Sequence, residues 1–301
     1  MYKVKVLMST YNGEKYLDEQ IKSIFEQKNV EVSLLVRDDG SSDRTLTILS
    51  RWSKTVDLKV IEGNNIGYAK SFMQLVETAS GADYYAFSDQ DDVWMPEKLI
   101  TAINHLDSAG GDEPHLYMSQ AVIVDKELNV IEAKFHKRYV SLDRLIAHNF
   151  AIGCTMVFDD ALRNIIKEKY NQTVLKAGHD YWISCVASAV GASIYWDVKG
   201  YVLYRQHGEN ASGKIVSVRQ AIRAVKKILY DWKHIRSNIA KCIISEYYGL
   251  LSEENRKTLE LAVCYQDSIV DYFRLLLSKK YLSKYVMVDI ITKLSILIFV
   301  F

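Results

Sequence analysis

Asp89-Gln90-Asp91-Asp92 places three carboxylates within four residues, directly after the apolar run Tyr84–Phe87. Carboxylates this close repel one another unless protons or a cation intervene. Magnesium or manganese suits them, because hard cations prefer carboxylate oxygen and leave positions for phosphate oxygens. Acids also favour a helix N-terminus, and Pro96 marks the first turn of a helix nearby, so one of the three serves equally well as a cap. Asp38-Asp39-Gly40-Ser41-Ser42-Asp43 is a second acidic group. A turn followed by an N-cap accounts for it in full, yet a carboxylate at Asp39 could also accept the ring N–H of a pyrimidine. His179-Asp180 follows Gly178. An Asp at such a place usually caps a helix; at the edge of a cleft it could take a proton from a hydroxyl. In Tyr204-Arg205-Gln206-His207, Arg205 could pair with phosphate. His207 could bind a metal or donate to a leaving diphosphate, although a lone His is more often structural.

These groups need a scaffold, and the first 125 residues supply its rhythm. Val4–Met8, Val32–Val36, Leu58–Ile61 and Tyr84–Phe87 read as short apolar strands. Between them, Glu14–Gln27, a helix from an Asp43 cap through Trp52, and Tyr68–Ala79 carry helical spacing. This alternation predicts an α/β fold around a mostly parallel, doubly wound sheet flanked by helices. Such sheets bind ligands at the carboxyl ends of their strands. The expected site loops are therefore Ser9–Gly13, Asp38–Asp43, Gly63–Gly67 and Ser88–Asp92. Further on, Leu116–Val124 and Ala151–Phe158 read as strands, Asp180–Ala189 as a helix, and Ser193–Trp196 and Tyr201–Tyr204 as short strands. Beyond Lys214 there is no Pro, Gly249 is the sole Gly, and the chain reads as helical. The expected domains are 1–213, with halves 1–125 and 126–213, and a helical appendage at 214–301.

The chain has 301 residues and a net charge of +1, which gives no global argument for nucleic-acid binding. Cys154, Cys185, Cys242 and Cys264 lie far apart and form no C-x-x-C pair, so buried free thiols are expected rather than a zinc site or disulfides. A strand-like segment begins at Lys3 with no leader before it, which points to the cytosol. No stretch has the roughly 18–20 uncharged apolar residues of a membrane span.

The motifs together resemble inverting family 2 glycosyltransferases of the GT-A fold, nearest to bacterial rhamnosyltransferase-like members that build surface polysaccharides. The resemblance rests on Val-Leu-Met-Ser-Thr-Tyr-Asn-Gly (6–13), Arg-Asp-Asp-Gly-Ser-Ser-Asp (37–43), Asn65 with Gly67, and Ser-Asp-Gln-Asp-Asp-Val-Trp (88–94) with Lys98. Asn149 with Gly153, Gly-His-Asp-Tyr-Trp (178–182) and Tyr-Arg-Gln-His (204–207) complete it, in order, over roughly residues 1–213. It implies that Thr10, Tyr11 and Asn12 line a nucleotide pocket, that Asp39 contacts the pyrimidine, and that Asn65 and Lys70 join the donor site. It implies a Mn2+ or Mg2+ ion on Asp91 and Asp89, with His207 as a further ligand, and Arg205 facing the diphosphate. Asp180 is implied as the general base, in a His-Asp pair where many members have Glu-Asp. Asn149, Gly153, His179 and Trp182 fall to the acceptor side.

The implied reaction moves rhamnose from dTDP-rhamnose, or a hexose from a UDP-sugar, to a hydroxyl of a glycan or lipid-linked acceptor. A sugar nucleotidyltransferase would carry a Gly-rich basic loop after the first strand, where this chain has Ser-Thr-Tyr-Asn-Gly-Glu. A non-catalytic carbohydrate-binding protein would not need Asp89, Asp91 and Asp180 together. Between Lys214 and Lys241 eight Lys/Arg face one acid, Asp231, and alternate with apolar residues such as Ile222, Val225 and Trp232. That pattern predicts peripheral contact with the cytoplasmic face of the inner membrane, or else packing in a homodimer.

Overall fold

The computed structural model describes residues 1–132, 138–167, 169–170, 173–206, 234–282, 286–298 and 301. Its contacts divide the chain into two interleaved units, one of Met1–Tyr139, Ile152–Glu168 and Ala192–Glu209, the other of Val140–Ala151, Lys169–Gly191 and Asn210–Phe301. The expected boundary at 213 lies outside the described residues.

The first unit opens with β1 (Tyr2–Thr10), α1 (Leu17–Phe25), β2 (Val30–Asp38), α2 (Thr45–Trp52), β3 (Leu58–Glu62), α3 (Tyr68–Thr78) and β4 (Tyr84–Ser88). It continues through β5 (Val93–Trp94), α4 (Lys98–Ala109), β6 (His115–Ser119), β7 (Val122–Val124), β8 (Val130–Glu132), β9 (Val157–Asp159), α6 (Asp160–Ile166), β10 (Ser193–Asp197) and β11 (Val202–Arg205). A seven-stranded sheet runs β10-β6-β9-β4-β1-β2-β3, and a four-stranded sheet runs β5-β11-β7-β8. In the large sheet β9 alone is antiparallel to both neighbours. β1 is buried almost continuously from Val4 to Met8, as a parallel strand covered on both faces requires. Helix α1 turns Leu17, Ile21 and Ile24 inward, one stripe at helical spacing.

Register matters most for the site. Thr10 pairs with Asp38 across β1 and β2, Asp38 with Glu62 across β2 and β3, and Met8 with Ser88 across β1 and β4. β1, β2 and β3 therefore end together, β4 stops two residues short of them, and the four loops expected to form the site leave one edge of the sheet.

Several expected elements are shorter than their sequence pattern. The helix expected from Glu14 starts at Leu17, because Gly13 O first accepts the N–H groups of Tyr16 and Leu17 in a turn. Helix α2 starts at Thr45, and Asp43 accepts Thr45 N–H with one carboxylate oxygen (2.9 Å) and Glu14 N–H with the other (3.0 Å). Leu116–Val124 breaks at Gln120, whose N–H donates to Asp197 O, so β6 and β7 enter different sheets. Ala151–Phe158 is interrupted by a 3-10 turn at Gly153–Thr155.

The second unit is helical where described: α5 (Leu142–Ala147), α7 (His179–Ala189), α8 (Ile235–Tyr247), α9 (Glu253–Cys264), α10 (Ile269–Leu277) and α11 (Val286–Leu297), with a 3-10 turn at Val174–Ala177. No helix among the described residues is long and apolar enough to cross a membrane. The four cysteines are free; Cys154 and Cys185 are buried as expected, but Cys264 is exposed.

Candidate active site

The loop after β1 is held by hydrogen bonds to the neighbouring loop. Asn12 takes a left-handed backbone conformation at φ +48°, tolerable for Asn. Its N–H donates to Ser41 Oγ (2.9 Å), and its side-chain oxygen accepts Ser42 N–H (2.8 Å). Gly13 N–H donates to Thr45 Oγ1 (2.8 Å). Thr10 is buried, and its hydroxyl donates to Asp38 (3.0 Å) rather than opening to solvent. Tyr11 is half exposed.

Gln90, which the sequence reading passed over, clamps this loop to the acidic one. Its side chain accepts Tyr11 N–H (2.8 Å) and donates to Tyr11 O (3.1 Å). A Cβ on Gly13 would lie 2.4 Å from Gln90 Oε1, so a larger residue there would push the Gln90 amide out of this position. The missed signal was a lone amide between acids in a loop, facing a Gly in the loop of a neighbouring strand. Gln90→Ala removes both bonds, each of about 1 kcal/mol net. It is expected to raise the donor KM several-fold with kcat nearly kept, a split that initial-rate kinetics reads directly.

Asp39 sits in the loop after β2, buried, and ion-paired to Arg37. Its carboxylate also accepts Ile66 N–H and Gly67 N–H, both at 2.9 Å. It thereby pulls the Gly63–Gly67 loop against its own. Arg37 extends the tie by donating to Gln74 (2.7 Å) and to Asn64 O (3.1 Å). Asn65 accepts Gly67 N–H (3.2 Å), and Lys70 lies half-buried in the first turn of α3. With three acceptor directions of Asp39 engaged, one of its four remains.

In the loop after β4, Asp89 and Asp91 are half-buried, whereas Asp92 is fully buried. Asp92 Oδ1 accepts Arg205 N–H (3.1 Å). Burial, then the charges of Asp89 and Asp91, push the Asp92 carboxyl well above the usual carboxylate range. Asp89, Asp92 and Cys154 offer ligand atoms within 4.8 Å of one another. The Cys154 thiol, however, is held well above its usual range, by burial first and Asp92 next, so it stays protonated. The carboxylates of Asp89 and Asp92 are the hard oxygen donors of this group; Asp91, expected as the main ligand, is not part of it among the described residues. Behind Asp92, the Lys98 ammonium lies 3.5 Å from the centre of the Trp94 ring, and burial brings it down to about 7.

Arg205 is buried and braces this loop. Nε donates to Asp91 O (2.8 Å), the guanidinium pairs with Glu19 and donates to Lys126 O, and it stacks 4.4 Å from the Tyr16 ring centre. Expected to face a diphosphate, it spends these donors on the protein. His207 lies outside the described residues.

In the second unit, Asp180 is the second residue of α7, half-buried, and accepts Tyr181 N–H (2.7 Å). Gly178, at φ +108°, occupies the N-cap position without a capping side chain. His179 is buried, and burial alone lowers it from 6.5 to about 3, so it is neutral at physiological pH. Trp182 is buried against Tyr247, ring centres 6.3 Å apart, which makes it a support for α7. Asn149 accepts Ala151 N–H (3.0 Å); Gly153, in the first unit, opens the 3-10 turn. The depressed His179 value has a consequence for stability. The unfolded chain gains a proton as pH falls through 6.5, while the fold resists it until about 3. Stability is therefore full above pH 6.5 and falls between these values. In His179→Gln that slope is expected to flatten, as denaturant titrations at several pH values would record.

The loops at the carboxyl edge of the doubly wound sheet thus carry clustered carboxylates where such sheets bind ligands. The chain belongs to glycosyl transferase family 2, whose sequence model matches residues 5–166. Among its relatives, the dTDP-rhamnosyl transferase RfbG of Shigella flexneri is 28% identical over 244 residues, covering 75% of this chain and 80% of that one. A UDP-Glc:alpha-D-GlcNAc-diphosphoundecaprenol beta-1,3-glucosyltransferase, WfgD of Escherichia coli, is 29% identical over 185 residues, 61% of this chain and 69% of that one. The crystal structure of S. aureus TarS 1-349 in complex with UDP superposes with a TM-score of 0.58 at 21% identity, covering 98% of this chain and 90% of that one, and so shares the fold.

Proposed function

We propose that this glycosyltransferase acts by a single in-line displacement, moving rhamnose from dTDP-rhamnose, or secondarily a hexose from a UDP-sugar, to a hydroxyl of a glycan or lipid-linked acceptor in bacterial surface polysaccharide synthesis. The observation that carries the reading is that β1, β2 and β4 end at one edge of the sheet, which sets Tyr11, Asn12, Asp39, Asp89 and Asp91 there. The likeness to RfbG favours the rhamnosyl donor.

Tyr11 and Asn12 line the nucleotide pocket, with Thr10 holding their loop from below. Asp39 offers its remaining acceptor direction to the pyrimidine ring N–H, and Asn65 and Lys70 flank it. Asp89 and Asp91 would hold Mn2+ or Mg2+, and the ion would supply positive charge to offset that of the leaving diphosphate. Arg205 fixes the backbone of that loop. Asp180 accepts the proton of the attacking hydroxyl in the single displacement, so the anomeric configuration inverts. His179, being neutral, adds no positive charge to compete for that proton. Asn149 belongs to the acceptor side, and Trp182 serves it only indirectly, as the buried support of α7. The basic segment 214–241, of which 214–233 lies outside the described residues, draws the chain to the cytoplasmic face of the membrane, where a lipid-linked acceptor would lie.

Purified protein screened against nucleotide sugars, with and without manganese, tests the proposal. Release of nucleoside diphosphate, strongest with dTDP-rhamnose, is expected. Release of pyrophosphate from a nucleoside triphosphate and a sugar phosphate would overturn it.

A further inference from the structure

Helix α1 interrupts its own apolar pattern. Gln20, Ser23 and Gln27, along and just beyond it, follow the spacing i, i+3, i+7 and so share one side of the helix. All three are buried, at 0, 5 and 8% exposure. Buried polar groups cost free energy unless each finds a partner. Here each does, and the partners beyond the helix all belong to the segment Ser88–Leu99. Of the two orientations of the Gln20 amide, one satisfies its neighbours. Its nitrogen then donates to Asp92 O (2.5 Å), and its oxygen accepts from Ser88 Oγ (2.6 Å) and from Trp94 Nε1 (3.2 Å). Ser23 Oγ accepts Trp94 N–H (3.0 Å). The Gln27 amide donates to Met95 O (2.9 Å) and accepts Leu99 N–H (3.0 Å).

These bonds fall on different parts of the segment. Gln27 grips it past the acidic loop, where α4 begins. Gln20 grips the loop itself at both ends, at Ser88 where β4 stops and at Asp92. Only Asp89, Gln90 and Asp91 lie between the two gripped points, so their backbone keeps little freedom. We infer that Gln20 is a positioning residue for the cation: by fixing Ser88 and Asp92 it sets the path of the loop between them, and with it the carboxylates of Asp89 and Asp91. The inference rests on the proposed reading in which those carboxylates take Mn2+ or Mg2+. It adds that α1, which follows the nucleotide loop in the chain, holds the acidic loop in register with it.

The test compares Gln20→Met with Gln27→Met in the full chain. Each exchange keeps the length of the side chain and removes its amide, so each leaves buried groups unpaired and lowers the melting temperature. The readout that separates them is Mn2+ affinity in the presence of dTDP, from the electron paramagnetic resonance signal of free Mn2+. Gln20→Met is expected to weaken Mn2+ about tenfold or more, the usual scale for losing a group that orients a metal ligand. Its kcat for donor hydrolysis should fall further than its donor KM rises. Gln27→Met should bind Mn2+ as the wild type does. Ser88→Ala breaks the same grip from the loop side with a smaller change, so it serves if Gln20→Met does not fold, and it too should weaken Mn2+. Equal weakening by Gln20→Met and Gln27→Met would overturn the inference, because the effect would follow stability alone. Wild-type Mn2+ affinity in Gln20→Met and Ser88→Ala, with affinity lost in Asp91→Asn, would overturn it and leave the cation reading standing. Wild-type affinity in Asp91→Asn would overturn the cation reading and the inference with it.

Discussion

Asp91→Asn is expected to lower sugar transfer by about 10²–10³-fold, the usual scale for losing one fixed electrostatic contact to developing charge, while the melting temperature stays close to that of the wild type. The fold should survive because Asp91 contributes to the loop through its backbone: Arg205 Nε donates to Asp91 O, and that carbonyl is untouched by the change. The side chain is half-buried, and Asn fills nearly the same space. Asp92 makes the contrasting case. It lies in the core beside Cys154 and Lys98, so Asp92→Asn should act mainly on stability. Rates for Asp91→Asn measured with manganese and with chelator complete the test. A variant as active as the wild type in both would remove the cation from Asp91.

Asp180→Asn should keep donor binding and lose transfer by about 10²–10⁴-fold, the range for removing a general base. An alternative role as a helix-terminal acid makes a different prediction. Asp180 accepts Tyr181 N–H in the first turn of α7, and Asn retains an oxygen for that bond. Stability should therefore change by only about 0.5 kcal/mol, because only the charge near the helix N-terminus is lost. Calorimetric titration of the donor, a thermal melt and a transfer assay on one preparation separate the two roles. Equal losses of donor affinity and stability would make Asp180 structural.

The sheet edge was legible because it depends on local signals. Apolar runs ended by Gly, Asn and Asp marked the strands, and the carboxyl-end rule then named the four loops, which the register from Thr10–Asp38 to Met8–Ser88 brings together. What the sequence concealed is non-local. Gln90 reads as filler between acids until Gly13 is seen against it. Arg205 reads as a phosphate ligand until Glu19, Tyr16 and the Asp91 carbonyl, far away in the chain, are found around it. Asp89, Asp91 and Asp92 look equivalent in sequence, and only burial distinguishes the last. Trp182 and His179 look like cleft residues by motif, yet α7 turns both inward. Strand β9 was legible only in part, at the end of the expected strand Ala151–Phe158. Three residues, preceded by a turn, carry too little periodicity to announce an antiparallel strand between β4 and β6.

The proposed mechanism requires one displacement at the anomeric carbon, and slow hydrolysis of the donor in the absence of acceptor exposes that step without knowledge of the acceptor. Proton NMR of purified protein turning over its preferred nucleotide sugar, recorded before the released sugar mutarotates, shows which anomer appears first. The inverted anomer is expected, and first release of the anomer that retains the donor's configuration would contradict a single displacement.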